Sequence, residues 1–222
     1  MQAPVMMPAP SGAAVFRDPM SAGDAATTGH ATGPTFHIHR YPVALIDRVE
    51  LDDGRSVLVR PVLPQDSELQ QRFVRALSAD SRYRRFHAPV NELSEDTLDW
   101  LTRVDYSSHL ALLAETFDEV GNELQVAEAR YVRGGHGLPF DVAEFALAVA
   151  DDWQGTGLGT RLLGALLARA RVAGLRKLRG SVLADNRAML KLAQRLGARV
   201  RGDIEDAHLM VVEFVLQARS AS

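Results

Sequence analysis

The chain contains no cysteine. That absence excludes a disulfide framework, a thiolate zinc site, an iron–sulfur cluster and a cysteine nucleophile in one step. Positive charge is not in excess either. Lys plus Arg is 25 against 28 for Asp plus Glu, a formal net charge of −3 with an isoelectric point near 6.2. A dedicated nucleic-acid binder needs a phosphate-neutralising basic surface, which this balance does not supply. No stretch approaches the ~20 apolar residues that span a bilayer. The opening MQAPVMMPAPSGAAVF lacks the basic leader and long apolar run of a secretory signal. We therefore expect a cytoplasmic protein that binds neither membrane nor nucleic acid.

What is present suits a globular domain. Of 222 residues, 46% are hydrophobic and 24% charged, enough to build one core with a tail attached. The tail is expected over residues 1–40. Five of the ten prolines (Pro4, Pro8, Pro10, Pro19 and Pro34) fall there, among Gly, Ala, Ser and Thr. Such a segment buries too little apolar surface to offset its ordering entropy, so it is expected to be disordered. His37 and His39 alternate around Ile38 and could share a strand face. They lack a third ligand nearby, so no metal site is expected.

The domain is expected over residues 41–218. Val43–Leu51 and Ser56–Val62 flank Asp52-Asp53-Gly54-Arg55, a hairpin signal. Asp66–Leu77 carries a helical stripe of Leu69, Phe73, Val74 and Leu77. A short arginine-rich helix is predicted over Ser81–Phe86, and Ser94 caps a third. Strands are predicted over Leu110–Phe117, Leu124–Val132 and Val142–Ala150, then a helix over Leu158–Ala173 closed by Gly174. Lys177–Leu183 reads as a strand, Arg187–Leu196 as a helix stopped by Gly197, and His208–Leu216 as a final strand. The order predicts an α/β (α+β) domain with helices packed on a mixed sheet.

The informative segment joins a strand to a helix through Gln154-Gly155-Thr156-Gly157-Leu158-Gly159-Thr160. Glycines let the backbone approach a ligand, and the free N–H groups and dipole of a helix start favour an anion. A tight turn without a ligand would use the same glycines. The Walker loop fails here, because no Gly-Lys-Ser/Thr follows at its spacing, and the dinucleotide Gly-x-Gly-x-x-Gly fails from either starting glycine. What remains is Gln-x-x-Gly-x-Gly, made by Gln154, Gly157 and Gly159.

That loop resembles the pyrophosphate loop of the GNAT superfamily of N-acetyltransferases. LADNRAM at 183–189 is similar to the family's strand-end Asn opening the next helix. RPVLPQDSELQQRF, SADSRYRRF and DDWQGTGLGTRLL extend the likeness to the acetyltransferase domain of bacterial Pat-type protein-lysine acetyltransferases. The superfamily likeness covers roughly Val57 to Leu216. A 40-residue tail is too short for the cyclic-nucleotide-binding or acyl-CoA synthetase domains that often accompany Pat-type modules.

The resemblance implies a mostly antiparallel central sheet with helices on both faces, and acetyl-CoA as donor without a metal. The strand ending at Val149 and Ala150 would part from Lys177–Leu183. Its free backbone groups would pair with the pantetheine arm, and an N–H near Val149 or Ala150 could face the thioester oxygen. Amides from Gly155, Thr156, Gly157, Leu158, Gly159 and Thr160, with Gln154, would hold the diphosphate. Asn186 would meet the pantetheine or adenine side.

Transfer to an amine needs its neutral form, so a base is required. Glu144 is the candidate. It precedes the glycine loop on a strand, where the family commonly places its carboxylate, and alternation puts it with Ala146, Ala148 and Ala150. Burial among such small apolar groups would raise its pKa. Asp151 and Asp152 are expected to hydrogen-bond the loop itself. Glu115 and Glu128 could shape the acceptor pocket but read first as solvated strand residues, and Arg82, Arg84 and Arg85 could bind the CoA 3′-phosphate or an acidic partner but read first as a solvated helix face. His87, His109, His136 and His208 show no metal spacing. Where many relatives have a Tyr as general acid, this chain has Ala193, and their Gly-Phe is Gly197-Ala198 here. Three functions follow: acetylation of a protein lysine, acetylation of a small-molecule amine, or a non-catalytic CoA-binding sensor module. The oligomeric state is not legible.

Overall fold

The computed structural model describes residues 40–134 and 138–216. The tail up to His39, with His37, and the loop holding His136 lie outside the described residues. The described residues form strands β1 Asp47–Glu50, β2 Ser56–Pro61, β3 His109–Phe117, β4 Glu123–Arg133, β5 Val142–Val149, β6 Lys177–Leu183, β7 Arg199–Gly202 and β8 Leu209–Val215. Helices are α1 Ser67–Ala76, α2 Ala79–Phe86, α3 Glu95–Thr102, α4 Leu158–Val172 and α5 Arg187–Arg195. The sheet order is β1-β2-β3-β4-β5-β6-β8-β7, antiparallel except at β5–β6.

Alternation along β3 explains the layering. Leu110, Leu112 and Ala114 face one cluster with Leu158, Leu162, Leu163 and Leu166 of α4, while Ala111 and Leu113 face the opposite side with Leu69 of α1. Helices therefore cover both faces, so β3 is buried along Leu110–Ala114 rather than alternating with solvent. On β5, Phe145, Leu147 and Val149 join the α4 side, and Ala148 and Ala150 join the α2 and α3 side.

The β5–β6 pairing is short. Val142, Ala143 and Glu144 pair with Lys177, Leu178 and Arg179, and the strands then part. Ala150 donates to Val126 O at 2.8 Å and Gly134 to Val142 O at 3.2 Å, so even-numbered β5 backbone groups serve β4. By alternation those of Phe145, Leu147 and Val149 face the opened side.

Three local expectations are corrected. Val43–Leu45 is a 3-10 turn, and the first strand is confined to Asp47–Glu50. The second helix starts at Ala79 rather than Ser81, because Ser78 caps it by accepting from Ser81 N. Arg199–Gly202 forms an additional edge strand beside β8.

Candidate functional site

The parting of β5 and β6 opens a cavity of about 710 Å³ through the sheet. It is lined from one face by Glu144, Ala146 and Ala148 and from the other by Phe145, Leu147 and Val149. Its end at α4 is the glycine loop. Gly155 and Gly157 hold φ +78° and +86°, a left-handed backbone that favours glycine. No acidic residue occupies the first turn of α4, so its exposed amides and dipole are left for an anion. Of the residues expected at the cofactor, Val149, Gln154, Gly155, Gly157, Gly159, Thr160 and Asn186 line the cavity.

Ala150, Thr156 and Leu158 are not among the lining residues, and each has another engagement. The Ala150 amide is spent on Val126 O. Thr156 is buried, its hydroxyl donating to Trp153 O at 2.8 Å. Leu158 is fully buried in the core. Two lining side chains also brace the site. Gln154 Nε2 donates to Val149 O at 3.1 Å and to Ser81 Oγ at 3.3 Å. Asn186 caps α5, its Oδ1 accepting from Met189 N at 3.1 Å.

The Asp151 carbonyl accepts from Gln154 N of the glycine loop at 3.2 Å, but its carboxylate turns away from the loop. It accepts from Ser78 N at 2.9 Å, Ser78 Oγ at 2.8 Å and Ser81 Oγ at 2.8 Å, fastening the loop to the start of α2. Burial works against its ionisation, yet these donors hold its carboxyl below the usual range. The Asp152 carbonyl accepts from Arg55 Nη1 and Nη2 at 3.1 and 3.2 Å, and Arg55 stacks on Trp153 at 4.0 Å. The β1–β2 turn thus clasps the loop from outside. Its Asp52 carboxylate also reaches the loop: a β-carbon on Gly157 would lie 3.2 Å from Asp52 Oδ2. Neither contact is visible in the sequence, because 97 residues separate Arg55 from Asp152.

Glu144 is half-buried on the α2 side. Ala146 and Ala148 share its face of the cavity, as alternation predicts, and the buried Arg85 of α2 adds a charge to those surroundings. Glu115 and Glu128 are buried rather than solvated. Glu115 and Asp66 both accept from Arg60, at 2.8 and 2.7 Å. Glu128 accepts from Arg130 at 2.5 Å and Arg85 at 3.2 Å. Burial opposes ionisation of Glu128, but Arg130 and then Arg85 outweigh it and hold the carboxyl at about 2. Layers on both faces of β3 and β4 make these positions interior, and a buried charge persists there only with a partner. Likewise Arg82 donates to Leu77 O, Arg84 pairs with Asp80 at 3.0 Å and lines the cavity, and Arg85 points inward.

His87 also lines the cavity, at a left-handed φ of +51° after α2. Burial and then Arg85 lower its pKa, against an opposing pull from Asp206. Its position was not flagged by spacing, since nothing in sequence links it to β5. Ala193 is fully buried on α5, and its methyl group supplies no acid. Among the described residues no cluster of three potential metal ligands occurs. No helix among them is long and apolar enough to cross a membrane.

The sequence profile of the acetyltransferase (GNAT) family matches residues 74–198. Acetyltransferase Pat of Mycolicibacterium smegmatis is 38% identical over 150 residues, covering 68% of this chain and 43% of that protein. The chain therefore spans less than half of that relative's length. Acetyltransferase PA5475 of Pseudomonas aeruginosa is 34% identical over 166 residues, covering 75% of this chain and 87% of that protein. The crystal structure of the GNAT domain of S. lividans PAT superposes with a TM-score of 0.72 at 33% identity, covering 80% of this chain and all of that one.

Proposed function

This chain belongs to the acetyltransferase (GNAT) family, and from that premise we propose that it moves an acetyl group from acetyl-CoA to a primary amine, a protein lysine first of all, by direct attack with Glu144 as base. The observation that carries the proposal is the cavity through the β5–β6 split, which joins Glu144 on one face to the glycine loop on the other. A donor gripped from the α4 side and an acceptor entering from the α2 side would meet in that split.

The residues present suit acetyl-CoA. Backbone groups of Leu147 and Val149 face the opened side and would pair with the pantetheine arm in strand-like fashion. Val149 O already accepts from Gln154, which leaves its N–H for the thioester oxygen, whereas Ala150 N–H is engaged elsewhere. Amides of Gly155, Gly157, Gly159 and Thr160 would hold the diphosphate. Bound acetyl-CoA supplies an activated acyl carbon, and the amine nitrogen bonds to it as the carbon–sulfur bond breaks. Glu144 takes the proton that the ammonium must lose, directly or through a water. With Ala193 in place of a tyrosine, the thiolate departs without a side-chain acid from α5, which a thiol pKa near ~8.5 permits. We also infer a cytoplasmic location, in keeping with the lack of cysteine.

Incubation with acetyl-CoA and cell extract, followed by blotting for acetyl-lysine, tests the acceptor. Labelled protein that disappears in Glu144→Gln, with CoA affinity kept, is the expected result. CoA release with small amines alone would move the assignment to a small-molecule acetyltransferase. Binding of CoA with no turnover on any amine would leave the sensor module.

A further inference from the structure

Trp100 of α3 lines the cavity on the α2 side of the sheet. The chain has two tryptophans, and the other, Trp153, precedes the glycine loop. Trp100 is half-buried. Within the protein it meets the His109 imidazole, with ring centroids 4.7 Å apart, and the Arg130 guanidinium, 5.8 Å from its ring centre. The rest of its surface is left to the cavity.

The opposing wall is low. After Glu144, that face of β5 carries only the methyl groups of Ala146 and Ala148. The β4–β5 register places Arg130 across from Ala146 and Val132 across from Glu144. Ala148 belongs to the apolar cluster on which Trp100 packs. The indole therefore stands over the stretch of β5 just past Glu144. Ala146 is itself only half-buried, so the space above it is not filled by neighbouring side chains. The arginines on this side are already paired, Arg84 with Asp80, and Arg85 and Arg130 with Glu128.

A slot with an aromatic wall above and methyl groups below suits an alkyl stem. Lysine buries its methylenes along such surfaces while its ammonium stays at a polar end. Two residues of strand span ~7 Å, comparable with the extended stem of lysine. An amine delivered to the split beside Glu144 would lay its methylenes along Ala146, under the indole.

On the reading that the acceptor is a primary amine, we propose that Trp100 is an acceptor-binding residue, the wall of a slot that selects an amine on an unbranched stem of about four carbons, as in a lysine side chain, over a shorter amine. The selection is apolar and independent of the charge state of Glu144.

The test is binding rather than turnover. With CoA saturating the donor side, straight-chain amines from methylamine to butylamine, and Nα-acetyl-lysine amide, are titrated by calorimetry against the full chain. Each methylene buried in the slot tightens binding about fourfold. Tryptophan emission shifts to the blue as the stem displaces water from the indole. Trp100→Ala flattens the series to less than about twofold per methylene, while CoA still binds. Trp100→Phe keeps most of the climb and loses the emission shift. Ala146→Leu fills the slot from the opposite wall and weakens butylamine about tenfold more than methylamine. It carries the test if Trp100→Ala does not fold. A climb that survives both Trp100→Ala and Ala146→Leu, or equal affinities along the series in the native protein, overturns the slot and leaves an amine acceptor standing. Absence of binding by every amine in the presence of CoA removes the amine acceptor, and the slot with it.

Discussion

Gly180 of β6 and Phe145 of β5 touch where the sheet divides: a β-carbon on Gly180 would lie 2.8 Å from Phe145 Cε1 and 3.1 Å from its carbonyl oxygen. Phe145 in turn packs edge-on against Phe214, with ring centroids 5.5 Å apart. The ring fills the space that a side chain on β6 would take, just where the pairing of the two strands stops. Gly180→Ala must displace that ring or the strand itself. Overpacking of this kind costs about 1–3 kcal/mol. Thermal denaturation is expected to fall by about 2–4 °C per kcal/mol, and CoA affinity to drop with it. An unchanged melting temperature would show that the split does not depend on this contact.

Asp151 is expected to couple loop order to cofactor binding. Its three hydrogen bonds from Ser78 and Ser81, together with the Gln154 side-chain amide that bridges Val149 O and Ser81 Oγ, fasten the strand end to α2. Hydrogen bonds to a charged group are worth about 1.5–3 kcal/mol each when intact, less at an exposed site. Asp151→Ala should weaken CoA binding several-fold in calorimetry and lower the melting temperature modestly. Loss of stability with full affinity would mean that the glycine loop holds its shape without this anchor.

How far the sequence reaches is set by distance along the chain. The helix beginning at Leu158 and the strand Lys177–Leu183 are where periodicity and glycines put them, because those signals are local. Ser94 caps α3 as expected, accepting from Thr97 N at 3.2 Å. Edge strand Arg199–Gly202 is illegible in sequence because four residues, two of them charged and three exposed, carry no apolar alternation. Glu115 and Glu128 were misjudged because a carboxylate on a strand looks solvated until both faces are known to be covered. Arg60, the partner of Glu115, lies 55 residues away, and Arg85, the second partner of Glu128 after Arg130, lies 43 away. The clasp of Arg55 on Asp152 and Trp153 is of the same kind.

His109 should make the fold sensitive to mild acid. Burial, and then the neighbouring Arg130, push its pKa down to about 3 from an ordinary 6.5. Arginine only donates, so His109 Nε2 accepts from Arg130 and the imidazole is neutral in the fold. The unfolded chain takes up a proton below pH 6.5 that the folded chain refuses until about pH 3. Stability is therefore lost as pH falls through that window, by at most on the order of 4–5 kcal/mol. Glu128 adds to the loss lower down, since its depressed carboxyl is protonated in the unfolded chain first. His109→Gln keeps an acceptor without titrating. Its urea denaturation midpoint should vary less between pH 6.5 and pH 4 than that of the native protein. Parallel slopes for both proteins would assign the acid sensitivity to another group.

Asp52 is expected to oppose the ligand at the glycine loop. Its carboxylate approaches Gly157, whose left-handed backbone opens α4, and it lines the cavity that the diphosphate would enter. Two like charges about 4 Å apart repel by roughly 1 kcal/mol in a water-like medium and by more where solvent is excluded. Asp52 lies on an exposed turn, so the lower figure applies. Asp52→Asn keeps the shape of the turn and removes the charge. CoA should then bind about threefold to tenfold more tightly in calorimetry at low salt, with the gain shrinking as salt is raised. Dephospho-CoA retains the diphosphate and should show the same gain, whereas pantetheine, which lacks it, should show none. A gain with pantetheine would relocate the repulsion away from the diphosphate, and weaker CoA binding would make Asp52 a supporting contact of the loop instead.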